Sequence, residues 1–268
     1  MATKTLVNVI ADAAFSGAGD KVLTPSERAL LLNSNTSFMA APWLNAIESG
    51  GVANTKAGVS DVPSYAGPTV AGVFPSFVEG GGPDDAPHYK AKSSDPVGGL
   101  YTDSGIVNRT GDWTISFVGK ASTNTSGGIA GIAGSNGGAF GIALRTGDLV
   151  RLQKFNSSGT VTVIGDAPAT TADWHHIVVS YDISATTLKV WVDGTLGNTF
   201  VNSLGLTDSR LTMFSTYDPL STPALALDGD NSSIAQLFVV NEYVGGTDAS
   251  TLNSLTGAAA ERFPSIFA

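Results

Sequence analysis

The stretch that decides the fold is ADWHHIVVSYDISATTLKVWVDGTL, residues 172–196. It contains two runs, 175–182 and 188–192, whose side chains alternate so that each run has one mainly apolar face. Asp193-Gly194 follows the second run, and these two residue types readily adopt the positive φ angles of a tight turn. The stretch therefore predicts an antiparallel hairpin in which each strand covers a core.

The adjacent histidines His175 and His176 have two interpretations, a reactive or metal-binding pair and a structural pair. Neighbours on a strand point to opposite faces, so the two rings cannot readily hold one ion. His88 is the only other histidine in the chain. We therefore expect the pair to make structural hydrogen bonds at the start of a strand.

The composition favours many short strands and excludes several kinds of site. Of the 268 residues, 14% are charged, 42% are hydrophobic and 32 are glycine, which suits strands joined by tight turns. The formal net charge is −9 and the 14 lysines and arginines are scattered, which argues against nucleic acid and anionic membrane surfaces as partners. The absence of cysteine excludes disulfides, thiol nucleophiles and thiolate metal sites.

The chain divides into two predicted regions, an N-terminal arm over residues 1–90 and a β-sandwich over 91–268. In the arm, Thr24, Pro25 and Glu27 have the spacing of a capping box, which predicts a short helix over about 25–33. APWLNAIESGG, residues 41–51, predicts a second short helix. The apolar residues between 52 and 90 favour an arm that packs on something over a free linker.

Strand patterns begin at about residue 97 and continue almost to the end of the chain. DWTISFVGK, residues 112–120, alternates as a half-buried strand does. The glycine-rich run 127–141 is interpreted as a flexible loop with a small-residue strand. A short helix near the C-terminus is expected to begin with Asp248 or Ser250 as its cap. Further strands are predicted within 138–155 (two strands around Gly147-Asp148), 159–166, 197–202, 209–216 and 232–244.

The hairpin also carries a family resemblance. Its run Trp174-His175-His176-Ile177, followed by Tyr181-Asp182 and by LKVWVDG at 188–194, resembles the central hairpin of laminin-G-like domains in the concanavalin A-like superfamily. DWTISFVGKAS resembles an early strand of those domains, and residues 228–255 resemble their last long strand and following helix. The resemblance covers about residues 97–257 and implies an all-β concanavalin A-like jelly roll. Where the family usually has an acidic residue in the last strand, this chain has Ala235-Gln236.

The same resemblance directs attention to loop residues as ligands. Laminin-G-like domains often bind Ca²⁺ at a loop edge, and oxygen ligands suit that ion. The sequence offers Asp228, Asp230 and Asn231 for such a calcium site, with solvated turn acids as the alternative. The same three residues with Tyr217 and Asp218 could also bind a glycan, since lectin-type sites combine an aromatic platform with Asp and Asn acceptors.

Glycoside hydrolysis is the enzymatic alternative, since some concanavalin A-like sandwiches cleave polysaccharides. Such enzymes place their carboxylates on one strand as E-x-D-x-x-E, whereas no two of the five glutamates here lie within 15 residues of each other. We therefore expect no catalytic residues and a non-enzymatic module.

The leading functional hypothesis is a structural and binding component on the surface of a bacteriophage virion, either a capsid decoration or a tail adhesin. The short apolar run Leu6 to Ile10, cut off by Asp12, is too short for a signal peptide, so synthesis in the host cytoplasm is expected. The arm would dock on other virion proteins or on further copies of the chain, and the sandwich would face a cell-surface glycan. The alternatives are a free glycan-binding protein and a polysaccharide-cleaving glycosidase.

Overall fold

The computed structural model describes most of the second half of the chain and parts of the first. The described residues are 23–40, 42, 52–53, 65–68, 75–91, 100–102, 105–121, 127–132, 134, 137–145, 149–156, 160–168, 173–214, 232–247 and 249–268. Within them, the strands are β1 (Thr36–Ala40), β2 (Val52–Ala53), β3 (Tyr65–Pro68), β4 (Ser76–Val78), β5 (His88–Lys90), β6 (Leu100–Tyr101), β7 (Trp113–Lys120), β8 (Gly127–Ile132), β9 (Gly137–Arg145), β10 (Leu149–Asn156), β11 (Val161–Pro168), β12 (Trp174–Asp182), β13 (Thr187–Val192), β14 (Thr195–Val201), β15 (Leu211–Met213) and β16 (Ser233–Val240). The α-helices are α1 (Pro25–Leu32) and α2 (Ser250–Arg262).

These strands form two antiparallel sheets. The first has the order β14-β13-β12-β7-β16-β5-β4, with β1 beside the C-terminal half of β16. The second has the order β11-β10-β9-β8-β15-β6-β3-β2. A large apolar core lies between the sheets, and Trp113, Phe117 and Phe140 are among its fully buried side chains. The chain is therefore a β-sandwich consistent with a concanavalin A-like fold, as the sequence predicted.

The predicted hairpin is confirmed. β12 pairs with β13 from Ile177 opposite Val192 to Asp182 opposite Thr187. Asp193 and Gly194 have φ angles of 49° and 77° and form the tight turn that leads into β14. Ile177 packs in the core between the sheets and Val178 packs on the outer face of the first sheet, so the predicted alternation also holds.

The two helices cover that outer face. Leu30 and Leu31 of α1 and Leu255 of α2 are buried in a second apolar core, together with side chains from the outer face of the sheet. One of these sheet residues is Val118 of β7, which is fully buried. The expectation that β7 is half-buried is wrong, because the helices exclude water from the face that the alternation left open.

The helix starts were predicted with mixed success. Thr24 caps α1 and forms the complete predicted capping box with Glu27. The cap of α2 was predicted incorrectly, because the residue before its first turn is Ala249, which has no side-chain acceptor. Ser250 is the first residue of the helix itself, and its carbonyl accepts a hydrogen bond from the Ser254 hydroxyl.

The described part of the first 90 residues is built into the sandwich. β1 pairs with β16, β4 pairs with β5, and β5 also pairs with β16. The boundary expected after residue 90 therefore falls at the end of a strand that belongs to the first sheet. The division into an arm and a sandwich stays a prediction for the residues of this region that are not described. The second predicted helix, at 41–51, lies outside the described residues except for Pro42, which is in a turn.

Candidate functional site

An open cleft lies where the hairpin turn meets the end of the second core. Its volume is about 550 Å³, and we call it the hairpin cleft. Four parts of the fold form its walls: the 81–84 loop, the end of β7 with the start of β12, the Asp193 turn, and residues after α2. The lining side chains discussed below are Asp84, Lys120, Asp173, Trp174, His175, Asp193 and Ser265.

Asp193 lines the cleft and clamps the start of β12 through hydrogen bonds to both histidines. Its Oδ2 lies 2.7 Å from His175 Nδ1, and its Oδ1 accepts a hydrogen bond from the His176 backbone N–H at 2.8 Å. The Asp193 N–H in turn donates to the His176 carbonyl at 2.8 Å. The prediction that the histidine pair makes structural hydrogen bonds at the strand start is confirmed.

His176 points to the face of β12 opposite to His175 and does not line the cleft. Its Nε2 is 2.9 Å from the Ser116 hydroxyl, and its ring lies 6.0 Å from the ring of Phe267. Complete burial lowers the pKa of His176 to about 4, although the carboxylate of Asp193 acts in the opposite direction. The ring is therefore neutral at physiological pH and has a packing role.

The mouth of the cleft carries an ion pair. Lys120 Nζ donates to Asp173 Oδ1 at 2.9 Å, and the two side chains are 41% and 68% exposed. The hydrogen bond from Lys120 lowers the pKa of Asp173, and a hydrogen bond from the Trp174 backbone N–H lowers it further. The pair therefore stays charged and presents a donor and an acceptor side by side.

Trp174 supplies an aromatic surface between these polar groups. Its half-buried ring packs partly on the outer core and lines the cleft. The ring of His88 meets it edge to face at a centroid distance of 5.3 Å and an interplanar angle of 74°. Burial lowers the pKa of His88, so this supporting ring is held neutral as well.

The loop opposite Trp174 is tightly constrained. Asp84 and Asp85 have φ angles of 51° and 59°, and Asp85 Oδ1 accepts a hydrogen bond from the Gly81 N–H at 2.9 Å. A Cβ atom on Gly82 would lie 2.3 Å from the Ala86 carbonyl oxygen, so only glycine fits there. The loop therefore holds the Asp84 carboxylate in a fixed place on the cleft wall.

The segment after α2 forms the remaining wall. The Ser265 N–H donates to Asp84 Oδ2 at 3.1 Å and so joins this segment to the loop. Arg262, the last residue of α2, forms a buried ion pair with α1, in which its Nη2 lies 2.7 Å from Glu27 Oε2. This pair fixes the start of the segment. Gln236 Nε2 also donates to Glu27 Oε1 at 3.1 Å. Gln236 thus ties the last strand of the sandwich to the acidic residue of α1.

Sequence reasoning missed this cleft. The sequence assigns Trp174 to the hairpin that identifies the fold, and it assigns Glu27 to the capping box of α1, but it gives neither residue a role in a site. Lys120 and Asp173 are 53 positions apart and come together because β7 and β12 are neighbours in the sheet, with Lys120 opposite Trp174. The sequence signal that could have found them is the strand register, which aligns the ends of the two predicted strands.

The site residues that the sequence favoured lie elsewhere in the chain. Tyr217, Asp218, Asp228, Asp230 and Asn231 are all outside the described residues, so the loop glycan site and the calcium site stay predictions. In the described part of the chain, no three His, Asp or Glu side chains are grouped so that they could hold a metal ion.

Comparison with known proteins agrees with this architecture. Residues 97–226 match a family model described as the concanavalin A-like lectin/glucanases superfamily. This segment is therefore similar to laminin-G-like domains of that superfamily. The sequence matches no curated protein. None of the helices in the described ranges is long and apolar enough to cross a membrane.

The sandwich and its flanking helices share their fold with solved structures of botulinum neurotoxins and their binding domains. One of these structures is of botulinum neurotoxin type C, whose cell entry depends on interaction with two ganglioside molecules. It is 14% identical to this chain, with a TM-score of 0.56. The binding domain of neurotoxin DC in complex with SialylT is 12% identical, with a TM-score of 0.57, and the type G receptor binding domain is 9% identical, with a TM-score of 0.53. Each match covers 85% of this chain and 52% of the other, so this chain spans about half their length.

Proposed function

We propose that the protein is a non-enzymatic carbohydrate-binding module and that the hairpin cleft is its glycan site. The observation that carries the proposal is the half-buried Trp174 ring beside the exposed Lys120–Asp173 pair in an open cleft of about 550 Å³. Sugar rings stack their C–H faces on aromatic rings, and their hydroxyls pair with a small number of placed donors and acceptors. The binding of gangliosides and SialylT by proteins of similar fold supports the proposal.

The electrostatics of the cleft favour binding over hydrolysis. A glycosidase needs one carboxyl group with a raised pKa to protonate the leaving group. The ammonium of Lys120 instead holds the pKa of Asp173 below its usual range. Asp193 is occupied with both oxygens in the clamp on β12, which assigns it to the frame of the cleft.

The test compares the wild-type protein with Trp174→Ala on a glycan array, followed by calorimetry with the best ligand. We expect the variant to lose about five- to thirtyfold in affinity, because removal of one stacking ring costs on the order of 1–2 kcal/mol. Tyr243→Ala is the matched control, since that ring lies outside the cleft beneath Lys189. Equal affinity of the wild type and Trp174→Ala would reject the cleft as the site.

We further propose that the module is a surface component of a bacteriophage virion, a capsid decoration or a tail adhesin, made in the host cytoplasm. Its partners would be other virion proteins or further copies of the chain. The absence of cysteine, the low charge content and the lectin-like sandwich support this role. Peptide mass spectrometry of purified particles from the source culture tests it, because a virion component is present in stoichiometric amounts and a free lectin is absent.

Docking through the N-terminal region is tested by a deletion of residues 1–22. A deletion to residue 90 would remove β1, β4 and β5 from the first sheet, whereas the shorter one removes none of the described contacts. We expect the shorter variant to fold and bind glycan but to be missing from particles. Its normal incorporation would reject this region as the docking element.

A calcium site at Asp228, Asp230 and Asn231 is proposed on the sequence alone. Melting curves with and without a chelator test it, since a bound ion stabilises the folded state by mass action. A melting temperature that is unchanged by the chelator and by added Ca²⁺ would remove the proposal.

A further inference from the structure

We infer that the hairpin cleft takes an uncharged glycan and rejects a sialylated one. This inference rests on the proposed glycan-binding function and adds the chemical class of the ligand. Three features of the cleft support this inference: its net negative charge, the pairing of Lys120 with Asp173, and the carboxylate oxygens that have no described hydrogen-bond partner.

The described side chains give the cleft an excess of negative charge. Asp84, Asp173 and Asp193 contribute three carboxylates, and Lys120 contributes the one ammonium among the described lining residues. A ligand carboxylate placed here therefore meets net repulsion.

The charge of Lys120 is already paired with a carboxylate of the cleft. Its Nζ is bound to Asp173 Oδ1 at 2.9 Å, so an anionic ligand would have to compete with that partner or lie beside it. A sugar hydroxyl avoids this conflict, because its oxygen can accept from Lys120 while its proton is donated to Asp173. One neutral hydroxyl therefore uses both members of the pair without separating them.

Asp84 and Asp173 each also have a carboxylate oxygen that can accept a hydrogen bond from a ligand. Asp84 Oδ2 accepts the Ser265 N–H, and Asp173 Oδ1 accepts Lys120 and the Trp174 N–H. The second oxygen of each carboxylate has no hydrogen-bond partner among the described residues. Hydroxyl and amide N–H groups can donate to these oxygens, whereas an ionised carboxylate has no proton to give.

The experiment measures binding of the full chain to pairs of glycans that differ by one terminal sialic acid, with lactose and 3′-sialyllactose as the defined pair on an array of such pairs. We expect each neutral member that binds to bind at least about tenfold more tightly than its sialylated partner, which is about 1.4 kcal/mol. The ratio should shrink in 0.5 M salt, since screening weakens a repulsion between charges but not a steric block.

Asp84→Asn sharpens the test, because it removes one cleft charge and keeps an acceptor for the Ser265 N–H. We expect this variant to reduce the ratio of the affinity for the neutral glycan to the affinity for its sialylated partner about threefold or more. The matched control is Asp112→Asn, whose carboxylate accepts the Ile183 N–H beyond the far end of β12 and does not line the cleft. This control should keep the wild-type ratio.

The outcomes separate this inference from the function on which it rests. Equal or tighter binding of the sialylated members, or a ratio that neither salt nor Asp84→Asn changes, overturns the charge selectivity and leaves glycan binding intact. Failure of the whole array to bind rejects the proposed function and the inference together.

Discussion

Acidification should destabilise the fold through His176, which is completely buried at the back of the cleft. Its pKa is lowered from 6.5 to about 4 by burial, so the unfolded chain binds the proton more tightly than the folded chain does. The contribution of neutral His176 to the free energy of unfolding is therefore fully present above pH 6.5, and it is lost as the pH falls from 6.5 towards 4. At 1.36 kcal/mol per pKa unit, the full loss is roughly 3 kcal/mol, of which about 2 kcal/mol occurs between pH 7 and pH 5.

The assay is urea denaturation followed by tryptophan fluorescence at pH 7 and pH 5, with the wild type and His176→Gln compared. Glutamine can still hydrogen-bond Ser116 but does not titrate, so His176→Gln should lower stability at pH 7 and remove the part of the pH dependence that comes from His176. The lowered pKa of His88 acts in the same direction in both proteins and cancels in the comparison. If the wild type and the variant lose the same free energy of unfolding between the two pH values, the account of His176 as a buried neutral residue fails.

Three further substitutions test the supports of the cleft. Glu27→Ala should cost about 3–5 kcal/mol of unfolding free energy, because it removes the fully buried carboxylate that pairs with Arg262 and accepts from Gln236. Glu261→Ala, at an exposed hydrogen bond, should cost about 1 kcal/mol or less. Equal costs would contradict the buried ion pair. Asp193→Ala should lower the free energy of unfolding by about 1–3 kcal/mol. Asp193→Asn should lower it less, because asparagine keeps an acceptor and tolerates the positive φ of this position. A smaller loss for alanine than for asparagine would contradict the hydrogen-bonding role of Asp193. Gly82→Ala should lower both the melting temperature and glycan affinity, because its Cβ would meet the Ala86 carbonyl, and an unchanged protein would show that the loop is not constrained.

The sandwich could be predicted because its signals are local. Alternation over 175–182, the turn residues Asp193-Gly194 and the capping box of Thr24 each depend on residues a few positions apart, and the structure confirms all three. The two-sided burial of β7 could not be predicted in this way. Its outer face is covered by helices from the two ends of the chain, and no local pattern in the strand records which segment will cover it.

The candidate site depended almost entirely on contacts between distant positions. Lys120 meets Asp173 across two neighbouring strands, and Glu27 meets Arg262 across 235 positions. The loop residues favoured by the sequence, including Asp230, were chosen because acids clustered locally, which is the only kind of cluster that a single sequence displays. The cleft instead combines short groups of residues from several distant elements, so it becomes visible only when the sheet order is known.

The most direct test of glycan binding in the hairpin cleft is an NMR titration of the indole N–H signals with the best glycan from the array. Trp113 and Trp191 are buried at 0% and 7% exposure in the two cores, whereas Trp174 lines the cleft. We predict that the Trp174 signal, assigned by its loss in Trp174→Ala, shifts in a saturable way while those of Trp113 and Trp191 stay in place. Saturable binding that leaves the Trp174 signal unmoved would contradict the assignment of the site to this cleft.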